Sequence, residues 1–205
     1  MEQFATEDQQ VEAIKRFWKE NGIAVVVGAV LGLGGLFGWR YYSDAQLASK
    51  EAASMEYQAV VEALQTEDGV ERAKTFLDEN SGSGYGTLTA FVLASQAVAS
   101  EDYASAQAHL EEAAKTSDSA IRPLALLRLA RVQLAQDNAQ AALDSVNKVE
   151  NDAFVAQTEE VKGDAYVKLG NFDQARLAYG AAVEADAANQ LVKMKLDNLA
   201  VASGS

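Results

Sequence analysis

Seventeen consecutive uncharged residues, Ile23–Trp39 (IAVVVGAVLGLGGLFGW), constrain this chain more than any other stretch, and Asn21 and Gly22 extend the run to 19. As a helix rising ~1.5 Å per residue the run is about 26–28 Å long, close to the ~30 Å hydrocarbon core of a bilayer. A helix that is apolar all round is either a core helix or a membrane span. Lys19, Glu20 and Arg40 flank it, and Trp18, Trp39, Tyr41 and Tyr42 stand at its ends. Aromatic rings with polar tips prefer the headgroup layer, which favours the span. Ser43-Asp44-Ala45 loosely fits a signal-peptide cleavage site. The apolar run is longer than a signal h-region, the segment before it is 20 residues long, and Arg40-Tyr41-Tyr42 reads as an anchor. The expectation is an uncleaved transmembrane anchor over residues 23–40, in contact with the lipid bilayer.

Beyond the anchor, residues 41–205 suffice for one domain with a real core. They carry 13 Lys/Arg and 25 Asp/Glu, a charge of −12. Such a surface repels nucleic acid and anionic headgroups, so no nucleic-acid partner is expected. With no Cys there is neither a disulfide nor a thiolate site. A single Pro among abundant Ala, Gln, Glu and Leu predicts an all-α chain.

Residues 1–22 read either as a cytoplasmic tail with a short amphipathic helix on the headgroups or as a tail of scattered charge. Thr6-Glu7-Asp8-Gln9 fits a capping box, Val11, Ile14, Phe17 and Trp18 share a face, and Asn21-Gly22 predicts a break. Lys15, Arg16 and Lys19 precede the span, whereas Arg40 and Lys50 come after it. A long acidic domain translocates largely regardless of charge, so the N-terminus is placed in the cytoplasm and residues 41–205 outside, in the periplasm of a bacterial cell. Gly28/Gly32 and Gly34/Gly38 give two GxxxG spacings, which suit a second membrane helix packing closely or merely reflect glycine-rich composition.

From Arg40 to Thr66 no Gly or Pro intervenes, so the membrane helix is expected to run on into the soluble domain, and Val70–Glu79 forms a second helix. The remainder of the chain is repetitive. Ala94, Ala130 and Gly163 are equivalent, at spacings of 36 and 33. The same offsets relate Tyr103, Ala139 and Phe172; Ala106, Ala142 and Ala175; Leu110, Val146 and Tyr179; and Ala113, Val149 and Ala182. Small residues fall where helices cross closely and larger ones where they splay. The pattern predicts units over about 87–119, 123–152 and 156–189, with residues 190–202 capping the stack through Leu191, Met194 and Leu199. A period near 34 with these residues resembles the tetratricopeptide repeat. The third unit departs from that pattern at Glu159, Lys162 and Ala187. The fold class is therefore all-α: one N-terminal transmembrane helix, then a tetratricopeptide-like helical-repeat solenoid.

Taken together, the VEAIKRFWKENG tail, the glycine-rich span ending GWRYY, the decayed repeats and the MKLDNL ending resemble the YfgM family, the ancillary single-pass subunit of the bacterial SecYEG translocon. The resemblance implies a type II inner-membrane protein with a periplasmic repeat domain. It also implies partnership with SecYEG and the membrane-anchored chaperone PpiD. The role it implies is chaperone-like, toward unfolded periplasmic and outer-membrane clients. In tetratricopeptide stacks the first helix of each unit lines a binding groove. The repeat offsets place Phe91, Ser95 and Val98 there, then Leu127, Arg131 and Leu134, then Glu160, Asp164 and Val167. The competing reading is that these repeats only pack against each other and partners use the outer face. Arg131 stands out as a lone cation in an acidic domain.

No catalytic constellation is present, and neither a cofactor nor a metal is expected. The single His109 has no second His to share a metal, and Glu111-Glu112 and Glu159-Glu160 point to different helix faces. The glycine runs at 32–38 and 82–86 lack a phosphate-loop ending. Two non-enzymatic functions remain: a module that holds proteins at the translocon exit, or a scaffold for another envelope complex such as cytochrome maturation or outer-membrane assembly.

Overall fold

The computed structural model describes residues 7–64, 66 and 68–202, with side chains described over residues 10–199 of that range. Every regular element among them is helical. The chain divides into two compact units, residues 1–53 and 54–205.

The first unit is built on α1, Glu7–Ala63, whose last turns belong to the second unit. The Thr6–Gln9 capping box lies outside the described side chains. The expected break at Asn21-Gly22 does not occur, and α1 passes through it. The Asn21 side chain donates to the Phe17 carbonyl at 3.2 Å, and the Trp18 ring lies 3.5 Å from where a Gly22 Cβ would stand. A single glycine costs a helix only about 1 kcal/mol, too little to end a long one. Residues 7–22 are therefore not a separate amphipathic helix. Through the span the apolar side chains point outward on every side, with Leu31 70% and Trp39 71% exposed. The helix is long and apolar enough to cross a membrane.

The second unit is a stack of antiparallel helix pairs. The end of α1 adds Tyr57 and Val60 to the core that α2, Gly69–Glu79, fills with Ala73, Phe76 and Leu77. Tyr57 anchors it, its ring 6.5 Å from Phe76 and 5.5 Å from Tyr85. Then come α3 (Gly84–Ala99) with α4 (Tyr103–Ala113), and α5 (Ile121–Ala135) with α6 (Ala139–Val146). A short 3₁₀ turn, Asp152–Phe154, leads into α7 (Val155–Lys168) and α8 (Phe172–Ala185), and α9 (Gln190–Ala202) comes last. Ala106, Ala142 and Ala175, at equivalent positions, are each fully buried, and Leu110, Val146 and Tyr179 fill the core one turn on.

The turns inside the three pairs are also equivalent. Glu101, Asp137 and Gly170 take positive φ (59°, 59° and 73°), and the next residue's N–H donates back to Ala97, Gln133 and Tyr166 carbonyls, each at 2.8 Å. This is the left-handed helix end that orphan carbonyls favour. The residues after it, Asp102 and Asn138, cap α4 and α6 by accepting from Ser105 and Ala141 N–H groups.

The cap differs from expectation. Leu199 is buried, but Leu191 and Met194 are more than half exposed, and Val192 and Leu196 make the contact instead. The face that α9 turns to the stack carries Val192, Leu196 and Leu199, and Lys195 reaches α7 from beside it.

Candidate partner-binding face

The first helices of the last three pairs are α3, α5 and α7, and they carry the nine residues predicted to line a groove. Four of the nine gather in one place. Phe91, Ser95 and Val98 of α3 and Arg131 of α5 line an open recess of about 470 Å3, with Tyr103 and Leu110 of α4 as part of its wall. Val98 is 41% exposed, and the Arg131 side chain 49%. Phe91 is buried, contributing little more than a ring face.

Leu127 and Leu134 do not face the recess. Both are buried in the second core with Ala130, Val161 and Ala165. α5 packs against α4 on one side and against α6 and α7 on the other, and Leu127 and Leu134 fall on the second of these faces. Leu134→Trp, which would fill a groove, would instead disrupt a core.

The third group forms a different structure. Glu160 and Asp164 are engaged by Lys195 of α9, whose Nζ lies 2.9 Å from Glu160 Oε1 and 2.8 Å from both Asp164 carboxylate oxygens. Tyr179 of α8 donates its hydroxyl to Asp164 at 2.6 Å. Burial opposes the charge on Lys195, but the Asp164 and Glu160 hydrogen bonds outweigh it and hold its pKa above the ordinary lysine value. Burial, with Asp164 beside it, pushes the Tyr179 phenol well above its usual range. These acids fasten the capping helix, and Val167 packs partly buried against the same third core.

Nor is Arg131 a lone cation. Glu160 lies 4.0 Å from it, and Arg128 stands one turn earlier on the recess rim, its guanidinium carbon 4.9 Å from the Phe91 ring centre. Arg128 was legible as the i−3 neighbour of Arg131 on the same helix face. Glu159 and Lys162, where the repeat pattern departs, pair with each other at 2.7 Å. No group of three or more His, Asp or Glu poised for a metal occurs among the described residues. His109 is half-buried near Lys74 and Asp102. In the first unit, a Cβ at Gly28, Gly32, Gly34 or Gly38 would meet no atom within 4 Å, so that face of α1 is open.

The profile of the tetratricopeptide repeat-like domain matches residues 15–201, which takes in the span as well as the helix pairs. An Escherichia coli (strain K12) protein named ancillary SecYEG translocon subunit is 37% identical over 98% of this chain and all of its own length. Proteins of the same name from Haemophilus influenzae and Aggregatibacter actinomycetemcomitans are each 30% identical over 94% of this chain and 97% of theirs. With both the apolar helix and the repeat stack inside the match, the chain belongs to the YfgM family, the tetratricopeptide repeat-like proteins named ancillary SecYEG translocon subunits.

Proposed function

We propose that this protein is a non-enzymatic, membrane-anchored interaction module of the SecYEG translocon, which assists PpiD-linked chaperoning of newly translocated envelope proteins. The observation that carries the reading is end-to-end similarity to relatives named for that translocon, joined to an open recess on the face expected to meet partners. Residues 23–40 span the inner membrane, with residues 1–22 cytoplasmic and residues 41–205 periplasmic. Clients are unfolded periplasmic and outer-membrane chains, and the recess of Phe91, Ser95, Val98 and Arg131 is the contact surface. Gly28, Gly32, Gly34 and Gly38 let a partner helix approach α1 within the bilayer.

The test is copurification from gently solubilised membranes, with a C-terminal periplasm-dependent reporter to fix topology. SecYEG and PpiD should be recovered together with the tagged protein, and Gly28→Leu/Gly32→Leu should insert normally yet recover less of both. Recovery of a cytochrome-maturation or outer-membrane-assembly complex in their place would overturn the reading, as would a reporter active only in the cytoplasm.

A further inference from the structure

The geometry points to a defined recognition chemistry for the α3–α5 recess: an extended protein segment carrying a large apolar side chain with one or two carboxylates beside it. This deepens the reading of the recess as a partner site and rests on it.

Three features carry the inference. The recess has an apolar interior, from Phe91, Val98, Tyr103 and Val132, and a cationic rim, from Arg128 and Arg131. Its volume of about 470 Å3 admits one or two large side chains, not a folded element. The rim charge is incompletely neutralised, although the chain as a whole carries −13. Arg131 lies 4.0 Å from Glu160, beyond hydrogen-bonding distance, and that carboxylate already accepts from Lys195. No carboxylate among the described residues comes within 4.0 Å of Arg128. A guanidinium lying over a ring keeps its in-plane N–H donors for a carboxylate, which it can bind through two parallel hydrogen bonds. The two arginines, three residues apart on α5, present that fork beside the opening.

The acidity of the rest of the chain sets the other limit. A long acidic tract would meet the surrounding negative surface and be repelled. The partner segment therefore needs few carboxylates placed next to its apolar anchor. Apolar burial supplies affinity and the arginine pair supplies register.

The experiment uses the full chain in detergent micelles and fluorescence anisotropy. Three fluorescein-labelled ten-residue probes are compared: a Ser/Gly/Gln peptide with central Phe-Asp-Glu, the same peptide with Phe-Lys-Lys, and oligoglutamate. The Phe-Asp-Glu probe should bind at least tenfold tighter than either of the others. Arg128→Glu/Arg131→Glu should reverse the order of the first two probes. Ser95→Trp, at an exposed position lining the recess, should abolish binding of both. Because those arginines are on the surface, melting should be unchanged; if charge reversal unfolds the chain, Arg128→Gln/Arg131→Gln replaces it and should erase the preference. Equal binding of the acidic and basic probes, no binding of either, or binding indifferent to Ser95→Trp overturns the inference. So does displacement of the probe by vesicles containing phosphatidylglycerol, which would assign the rim to lipid. If the probes fail while SecYEG and PpiD still copurify, only this inference falls. If copurification fails as well, the functional reading falls with it.

Discussion

Gly163→Ala is a substitution for which propensity and packing predict opposite signs. Propensity alone says the change stabilises, because alanine is about 1 kcal/mol better than glycine inside a helix. Here a Cβ at position 163 would stand 2.3 Å from Cε1 and 2.4 Å from Cδ1 of Tyr179. Ordinary carbon contacts are about 3.5–4.0 Å, so the ring must retreat by more than ~1 Å. It cannot do so freely. Tyr179 is buried, and its hydroxyl is tied to Asp164 at 2.6 Å. Either α7 and α8 separate, at about 1–3 kcal/mol for overpacking, or the ring swings and gives up a charged hydrogen bond of about 1.5–3 kcal/mol. Against the ~1 kcal/mol gain in propensity, the net is a loss of up to about 2 kcal/mol on either route. At about 2–4 °C per kcal/mol, thermal melting followed by circular dichroism should fall by several degrees. Gly180→Ala is the control. It lies on α8 with no atom within 4 Å of its Cβ, so it should raise Tm by about 2–4 °C. In the first two units the position equivalent to Gly163 is alanine, and Leu110 or Val146 stands where Tyr179 does. Gly163→Ala should therefore cost less in a Tyr179→Leu background. A Tm that rises for Gly163→Ala, or an equal penalty in both backgrounds, would refute the reasoning.

Three further outcomes are expected. Glu101→Gly should stabilise by about 0.5–1 kcal/mol, read as a higher urea midpoint, because Glu101 holds φ 59° where only glycine is unstrained. His109 has its pKa lowered by burial first and by Lys74 next, against the pull of Asp102. Its folded form therefore resists protonation: its contribution is intact above the unfolded value near 6.5 and is lost as pH falls through the folded value, so His109→Gln should flatten the decline of Tm between about pH 7 and 5. Lys195→Met leaves Glu160 and Asp164 half-buried without their cation, so amide exchange over α9 should accelerate while α3 and α4 are unchanged; adding Glu160→Gln and Asp164→Asn should restore most of the protection.

What the sequence made legible was whatever does not depend on neighbours. Ile23–Trp39 is apolar on every side, so no tertiary contact was needed to read it. The alanines at 106, 142 and 175 were readable because a close helix crossing excludes larger side chains. A signal for the turns is also present in the sequence, where an acid or glycine precedes Asp or Asn at 101–102, 137–138 and 170–171, although only the structure identifies these as the three helix ends. The groove was only half legible. Repeat offsets place a residue along its helix but not the angle at which neighbours cover it, so Leu127 and Leu134 turned out to be core. Lys195 lies 35 residues from Glu160, and only the seating of α9 on the third pair brings them together.

That seating obeys a rule that explains why one interface stays open. Arg128, Val161 and Lys195 are equivalent positions, at spacings of 33 and 34, and they relate back to Phe91, Leu127 and Glu160 on the preceding first helix. Each boundary carries different chemistry. Val161 and Leu127 share a core and are fully buried, so that boundary is dry. Lys195 and Glu160 satisfy each other, with Asp164 completing the cluster, so the second boundary is sealed by charge. Arg128 has a ring beneath it and no acid beside it. A guanidinium cannot be drawn inward as valine can, because burying it without a carboxylate costs several kcal/mol. Its head must stay at the water while its stem lies along the apolar wall. The α3–α5 boundary thus keeps its cation at the water above a shared core, and the recess opens beside that cation.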